Sequence, residues 1–284
     1  MGTITVTNMG FNEIPPNPAR YTWTNKPSAA TYGRGIAFFT DLNASGISNG
    51  DAWTVLQPVP LLQKATGWLI PSLAAANAAT YSQTETTITV TSTAHGITAT
   101  IYNGVPIYLA IASGLATAGW YTNFTYVDAN SFTCTSSISQ STSGVVNTNT
   151  ASTTITDLTV NVPGTLMGLN GQLEDHTLIS CSGSANNKRI QTFLGGQVFK
   201  NSITVGATMV AQEERHTLQN RNSLTAQVHL NAFAIGDGTA TTNPTEYKTI
   251  DTSIDKLLTH SVTVAAANEF IFVAYCKVTI FPSS

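Results

Sequence analysis

Charge is scarce in this chain. Of 284 residues, 12 are Lys or Arg and 15 are Asp or Glu, a charged fraction of 10% where soluble domains carry about 25%. The net charge of -3, with basic residues scattered along the chain, gives no counterion-release drive for binding nucleic acid. Long apolar runs are missing too. The longest, around Val105 to Ala112, falls well short of the ~18 residues of a spanning helix, so no membrane insertion is expected. The N-terminus MGTITVTNMG has neither the basic start nor the apolar core of a cleaved signal. Val6 stands where a myristoylation motif wants Ser or Thr. Cysteine is limited to Cys134, Cys181 and Cys276, an odd and widely spaced set without a Cys-x-x-Cys pair, which reads as buried reduced thiols.

Signatures of catalysis are also missing. No Gly-x-Ser-x-Gly elbow places a serine on a sharp turn. Glu213-Glu214-Arg215-His216 lacks the second His of a zinc-protease helix, and on a strand Glu213 and His216 face opposite sides. His176, which follows Asp175, reads as a structural or solvent-exposed side chain. A polysaccharide-cleaving enzyme needs paired carboxylates in a groove, commonly on a long solenoid, and no repeat of solenoid length is present. The expectation is therefore no enzyme, with no catalytic residues, no metal site and no cofactor.

What the chain does contain is Ser, Thr, Asn and Gly in place of charge, and Thr favours a half-buried pleated surface. The composition predicts an all-β protein. Residues 1–30 carry Pro15, Pro16, Pro18 and Pro27, which disfavour helix and central strand, and read as an extended arm. Residues 31–80 read as a short β motif and a linker, with one helical patch at Ser72 to Ala79 after Pro71. Residues 81–150 alternate short β runs with Gly and Asn turns, the pattern of a small antiparallel β domain; His95-Gly96 is a turn there, with His95 in a turn or packing role. The four tryptophans, Trp23, Trp53, Trp68 and Trp120, suit buried anchors between domains. Residues 154–284 hold roughly eight β-like runs, the size of a two-sheet Greek-key domain. Within them Leu224, Ala226, Val228 and Leu230 alternate with Thr225, Gln227, His229 and Asn231, an outer strand with an apolar inner face. The last run differs. Phe270, Phe272, Ala274, Cys276, Val278 and Ile280 fall on one face, and Ile271, Val273, Tyr275 and Phe281 on the other, so both faces need cover, from other domains or from a second copy.

Gly164 to Lys200, GTLMGLNGQLEDHTLISCSGSANNKRIQTFLGGQVFK, closely resembles the C-terminal β-sandwich module of bacteriophage tail-fibre and related virion fibre proteins. Leu218-Gln219-Asn220-Arg221-Asn222-Ser223 is similar to the Asn-rich turn of such modules. Tyr32 to Asp41 followed by Gly50-Asp51-Ala52-Trp53 resembles the short fibre motif that precedes the sandwich, and Ile88 to Gly96 with Gly119-Trp120-Tyr121 and Val127 to Phe132 resembles a small all-β insert of phage tail proteins. The resemblance implies a jelly-roll-like sandwich over 154–284 and a virion structural protein made in the bacterial cytoplasm. It implies a tail fibre acting in host attachment as a homotrimer, with further copies covering the last strand. A capsid-decoration or head-fibre protein is the alternative. The arm would dock on other virion proteins, and the sandwich would meet a host surface glycan. The loop from Gly236 to Tyr247, with Asp237, Asn243 and Tyr247, is the candidate receptor contact, because binding gathers on loops held by a rigid scaffold.

Overall fold

Alternating Thr, Val, Ile and aromatic residues extend the backbone, and that alternation governs nearly all of this chain. The structure is a computed structural model describing residues 19–73, 79–97, 100–206, 211–230 and 245–283. The protein is all-β in these residues, built as a small N-terminal sheet, a closed insert and a two-sheet sandwich.

The N-terminal sheet runs in order β1 (Ala19–Tyr21), β2 (Arg34–Phe39), β3 (Ala44–Asn49), β4 (Trp53–Val55), with β1 parallel to β2 and the rest antiparallel. One short helix, α1 (Ala29–Tyr32), joins β1 to β2, and its N-cap Ser28 accepts a hydrogen bond from the Thr31 amide at 3.1 Å. Ala37, Phe39, Ala44 and Val55 face a core shared with the sandwich. Trp23 lies edge-on to Phe39 at 5.0 Å and donates its indole N–H to the Gly164 carbonyl at 2.9 Å. The arm expected over 1–30 is thus folded onto the body from residue 19 onward, because Trp23 has a pocket to fill. Its earlier part lies outside the described residues.

β5 (Val59–Lys64) and β6 (Trp68–Ser72) follow. The insert comprises β7 (Ala79–Thr84), β8 (Thr87–Ser92), β9 (Ile107–Leu109), β10 (Gly119–Asp128), β11 (Ser131–Thr135) and β12 (Thr142–Val146), in spatial order β12-β7-β8-β11-β10-β9. An antiparallel bridge from Ile111 to Val146 returns the end of this order to its beginning. The sheet closes into a small barrel filled by Tyr81, Ile88, Val90, Leu109, Phe124 and Phe132. Closure removes the sheet edges that a short antiparallel insert would otherwise expose. His95 is buried in this unit, with Nε2 donating to the Asp128 carbonyl at 2.8 Å and Nδ1 accepting from the Ile97 amide at 3.2 Å.

The remaining strands are β13 (Thr153–Thr154), β14 (Val160–Val162), β15 (Gln172–Cys181), β16 (Ser184–Leu194), β17 (Gln197–Gly206), β18 (Ala211–Asn220), β19 (Gln227–Leu230), β20 (Thr245–Lys248), β21 (Lys256–Val264) and β22 (Glu269–Phe281). One sheet of the sandwich runs β5-β22-β15-β18 and continues through β19 and β20; the other runs β14-β21-β16-β17, with β13 also on β21. Gly195 and Gly196, both at positive φ, form the two-residue turn between β16 and β17, the backbone a tight hairpin requires. The sandwich is therefore not confined to residues 154–284. Its first strands are β5 and β6, which both pair with β22 and are cut off in sequence from the rest by the insert, so 31–80 supplies sandwich strands and not only a linker. The centre of the expected helical patch lies outside the described residues, and its flanks, Pro71–Ser72 and Ala79, are strand.

Two pattern readings are corrected by local geometry. Along β22, Leu178 pairs with Tyr275 and Ile179 with Val273, so Ala274 is the extra residue of a β-bulge. A bulge exchanges the faces beyond it. Ile271 and Val273 consequently share the sandwich core with Cys276, Val278 and Ile280, while Phe270 and Phe272 turn to the barrel and meet the Tyr102 ring at 5.3 and 4.7 Å. Over this half of β22 the cover expected from a second copy comes from the chain's own insert. On β19 the polar face is the buried one. The Gln227 amide donates to Asn220 Oδ1 (3.0 Å) and the Ile250 carbonyl (2.9 Å) and accepts from the Ile250 amide (2.8 Å), which satisfies it inside.

Candidate functional site

Strand β15 carries Leu173, Asp175, Thr177, Ile179 and Cys181 inward and Glu174, His176, Leu178 and Ser180 outward. Each face leads to a distinct constellation. Inside, Asp175 meets His260 of β21, Cys276 of β22 and Thr192 of β16, all four inaccessible to solvent at 0% exposure. Thr192 donates to Asp175 Oδ2 at 2.5 Å. His260 Nδ1 donates to the Leu158 carbonyl at 2.8 Å, and its Nε2 lies 3.1 Å from Asp175 Oδ1 and 3.5 Å from Cys276 Sγ. Burial disfavours a charged imidazole, but the Asp175 carboxylate, aided by Cys276, outweighs it and pushes His260 up to about 10. The residue types are those of a cysteine-nucleophile triad, yet the wiring differs. In such a triad the thiol and the carboxylate sit on opposite ring nitrogens; here both meet Nε2, and a backbone carbonyl takes Nδ1.

Outside, the same strand forms the floor of a shallow groove of about 470 Å³ between the sandwich and the barrel. Leu178, Phe272 and Ala274 make its apolar floor, Ile101 and Tyr102 its barrel wall, and Ser180, Gln212 and Glu213 its polar side. Tyr102 and Ser180 share a hydroxyl contact of 3.3 Å across the seam. At the groove's polar side Glu213 is held by Arg215 at 2.9 Å and His176 at 3.0 Å, and next to them, outside the groove, stands Tyr275, whose ring is edge-on to His176 at 5.4 Å. Here is an open surface where planar polar groups adjoin an aromatic ring and a hydrophobic floor.

Strand parity separates the neighbours that looked like pairs in sequence. Asp175 and His216 are buried, whereas Glu213 is exposed and His176 lies on the outer face. Of the expected receptor contacts, Asp237 and Asn243 lie outside the described residues. Tyr247 is on β20, 64% exposed, with the Arg221 guanidinium over its ring at 4.7 Å. It stands apart from the groove, which no sequence motif announced. The available signal for the inner cluster was an ionisable residue on a mostly apolar row: Asp175, next to Thr177, between Leu173 and Ile179, and His260 between Leu258 and Val262.

Neither a protein-family model nor a curated protein sequence matches this chain. Among solved structures, the CBM2 module of Lactobacillus casei BL23 phage J-1 evolved Dit superposes over 80% of this chain and 98% of that chain, at 8% sequence identity and a TM-score of 0.30. A likeness at that level carries no argument about function.

Proposed function

We propose that this protein is a bacteriophage virion structural protein, a tail fibre that attaches to a host surface glycan as a homotrimer. The reading draws on the sequence resemblance and on the strand order β5-β22-β15-β18 against β14-β21-β16-β17, which we take as a jelly roll interrupted by the barrel after β5 and β6. The observation that carries attachment is the groove. Its volume falls in the ~300–1,000 Å³ range of ligand sites, and Tyr275, His176, Glu213 and Gln212 offer a ring face and hydrogen-bonding groups side by side, the combination a sugar's apolar face and hydroxyls take up. Several copies on one particle would make weak contacts collectively strong. Binding without turnover is the mode we infer, since the buried Asp175, His260 and Cys276 are closed to substrate.

Further copies have an apolar surface to meet on the N-terminal sheet. There Ile36 and Ile47 are directly paired and both exposed. The mass of the purified chain by light scattering tests the trimer: a monomer at high concentration removes it. For attachment, binding to host-envelope polysaccharide is measured by titration calorimetry on the wild type and on Glu213→Ala and Tyr275→Ala. About tenfold weaker binding, ~1.4 kcal/mol, is expected for each variant. Unchanged affinity in both sinks the groove as the contact. Labelling intact particles separates tail from head, and a head position would favour the decoration reading.

A further inference from the structure

We propose that Asp175, His260 and Cys276 form a zinc site inside the sandwich, joining its two sheets. Oδ1, Nε2 and Sγ form a triangle with sides of 3.1, 3.5 and 4.0 Å. The point equidistant from the three atoms lies about 2.1 Å from each, against the ~2.0–2.3 Å of zinc bonds to oxygen, nitrogen and sulfur. Thiolate, imidazole and carboxylate together suit a borderline-soft dication better than calcium or magnesium, which take oxygen. That point lies in the plane of the three atoms, so as they stand they offer the ion three in-plane ligands.

The groups behind these atoms fit the same role. A ligating imidazole donates its other N–H to a carbonyl or carboxylate, which fixes its orientation, and a ligating carboxylate is itself hydrogen-bonded. The Leu158 carbonyl accepts from His260 Nδ1 at 2.8 Å, and the Thr192 hydroxyl donates to the far oxygen of Asp175 at 2.5 Å. Charge balances as well. With Asp175 and Cys276 as anions and His260 neutral, the ion's two charges are cancelled, so the filled site brings no net charge into the dry core. All three ligand residues are inaccessible to solvent, so the ion is loaded as the sheets close in folding.

The test uses the full chain, expressed in zinc-supplemented and, separately, in cobalt-supplemented medium under reducing conditions. After dialysis, elemental analysis is expected to find one zinc per chain, lost in Cys276→Ser and in His260→Gln and kept in Cys134→Ser. The cobalt-grown protein should show a thiolate-to-cobalt charge-transfer band, a readout that needs no variant and survives if the substitutions fail to fold. Folded wild-type protein with neither retained zinc nor that band overturns the proposal. So does stoichiometric zinc that persists in folded Cys276→Ser.

Discussion

The ion pair between Lys188 and Glu269 offers a sharp test of how the sandwich is closed at one end. Lys188 lies on β16 and Glu269 begins β22, so the pair links the two sheets. Its Nζ–Oε2 distance is 3.1 Å, with side-chain exposures of 1% and 7%. Lys188 Nζ also donates to Ser184 Oγ (2.6 Å) and the Asn186 carbonyl (3.1 Å), and Glu269 Oε1 accepts from Ser184 Oγ and from Asn186 Nδ2 (2.8 Å). Removing one partner of a pair this dry leaves the other charge uncompensated, which costs ~3–5 kcal/mol, whereas replacing both by apolar groups is often neutral. Lys188→Met should thus lose ~3–5 kcal/mol, and the double variant Lys188→Met/Glu269→Leu should recover most of that loss. Urea unfolding followed by tryptophan fluorescence and circular dichroism measures the cycle, provided the two transitions coincide. Burial alone would raise the Glu269 carboxyl, but donation from Ser184, Asn186 and Lys188 holds it below the ordinary carboxylate value. A depressed folded value means the contribution is present above the unfolded value and fades as pH falls through the folded one. The gap between wild type and Glu269→Gln should therefore shrink on acidification below the ordinary carboxylate range. A single-variant cost under ~1 kcal/mol, or a double variant no better than Lys188→Met, refutes the reasoning, since both follow from uncompensated buried charge.

Phe270→Ala should cost ~3–5 kcal/mol, the usual price of emptying an aromatic site, and should raise proteolytic cleavage between barrel and sandwich, because this ring fills the seam against Tyr102. Gly96→Ala should also loosen that seam. Gly96 has φ +81° and a Cβ there would stand 2.2 Å from the Asn268 carbonyl oxygen, so a melting temperature equal to wild type would count against the packing described. Gln227→Leu should lose ~2–6 kcal/mol, because the Ile250 amide and carbonyl lose a partner inside the fold at ~1–3 kcal/mol for each orphaned group; faster amide exchange at Ile250 is the accompanying sign.

Strand content was legible from composition, because the preference of Thr, Val, Ile and aromatic residues for an extended backbone is a local property. Faces were harder. Val228 alternates with Gln227 and His229, and the rule that apolar groups point inward chose the wrong side, because Asn220 and the Ile250 backbone supply Gln227 with partners that no local window contains. The last strand misled in another way. One bulged residue, Ala274, exchanged its faces halfway along, and a bulge leaves little trace in a hydrophobic pattern.

The amino-acid order by itself determined that this chain is made of strands, where many of them turn, and that few charges are available to hold it, since each of these depends on neighbours a few residues apart. Tertiary structure alone decided that β5 completes a sandwich lying beyond the barrel, and that the barrel covers half of β22. It alone brought Asp175, His260 and Cys276 together, residues separated by 85 and 16 positions. Sheet pairing and sheet stacking join residues according to distance in space, and the chain's linear pattern carries no term for that.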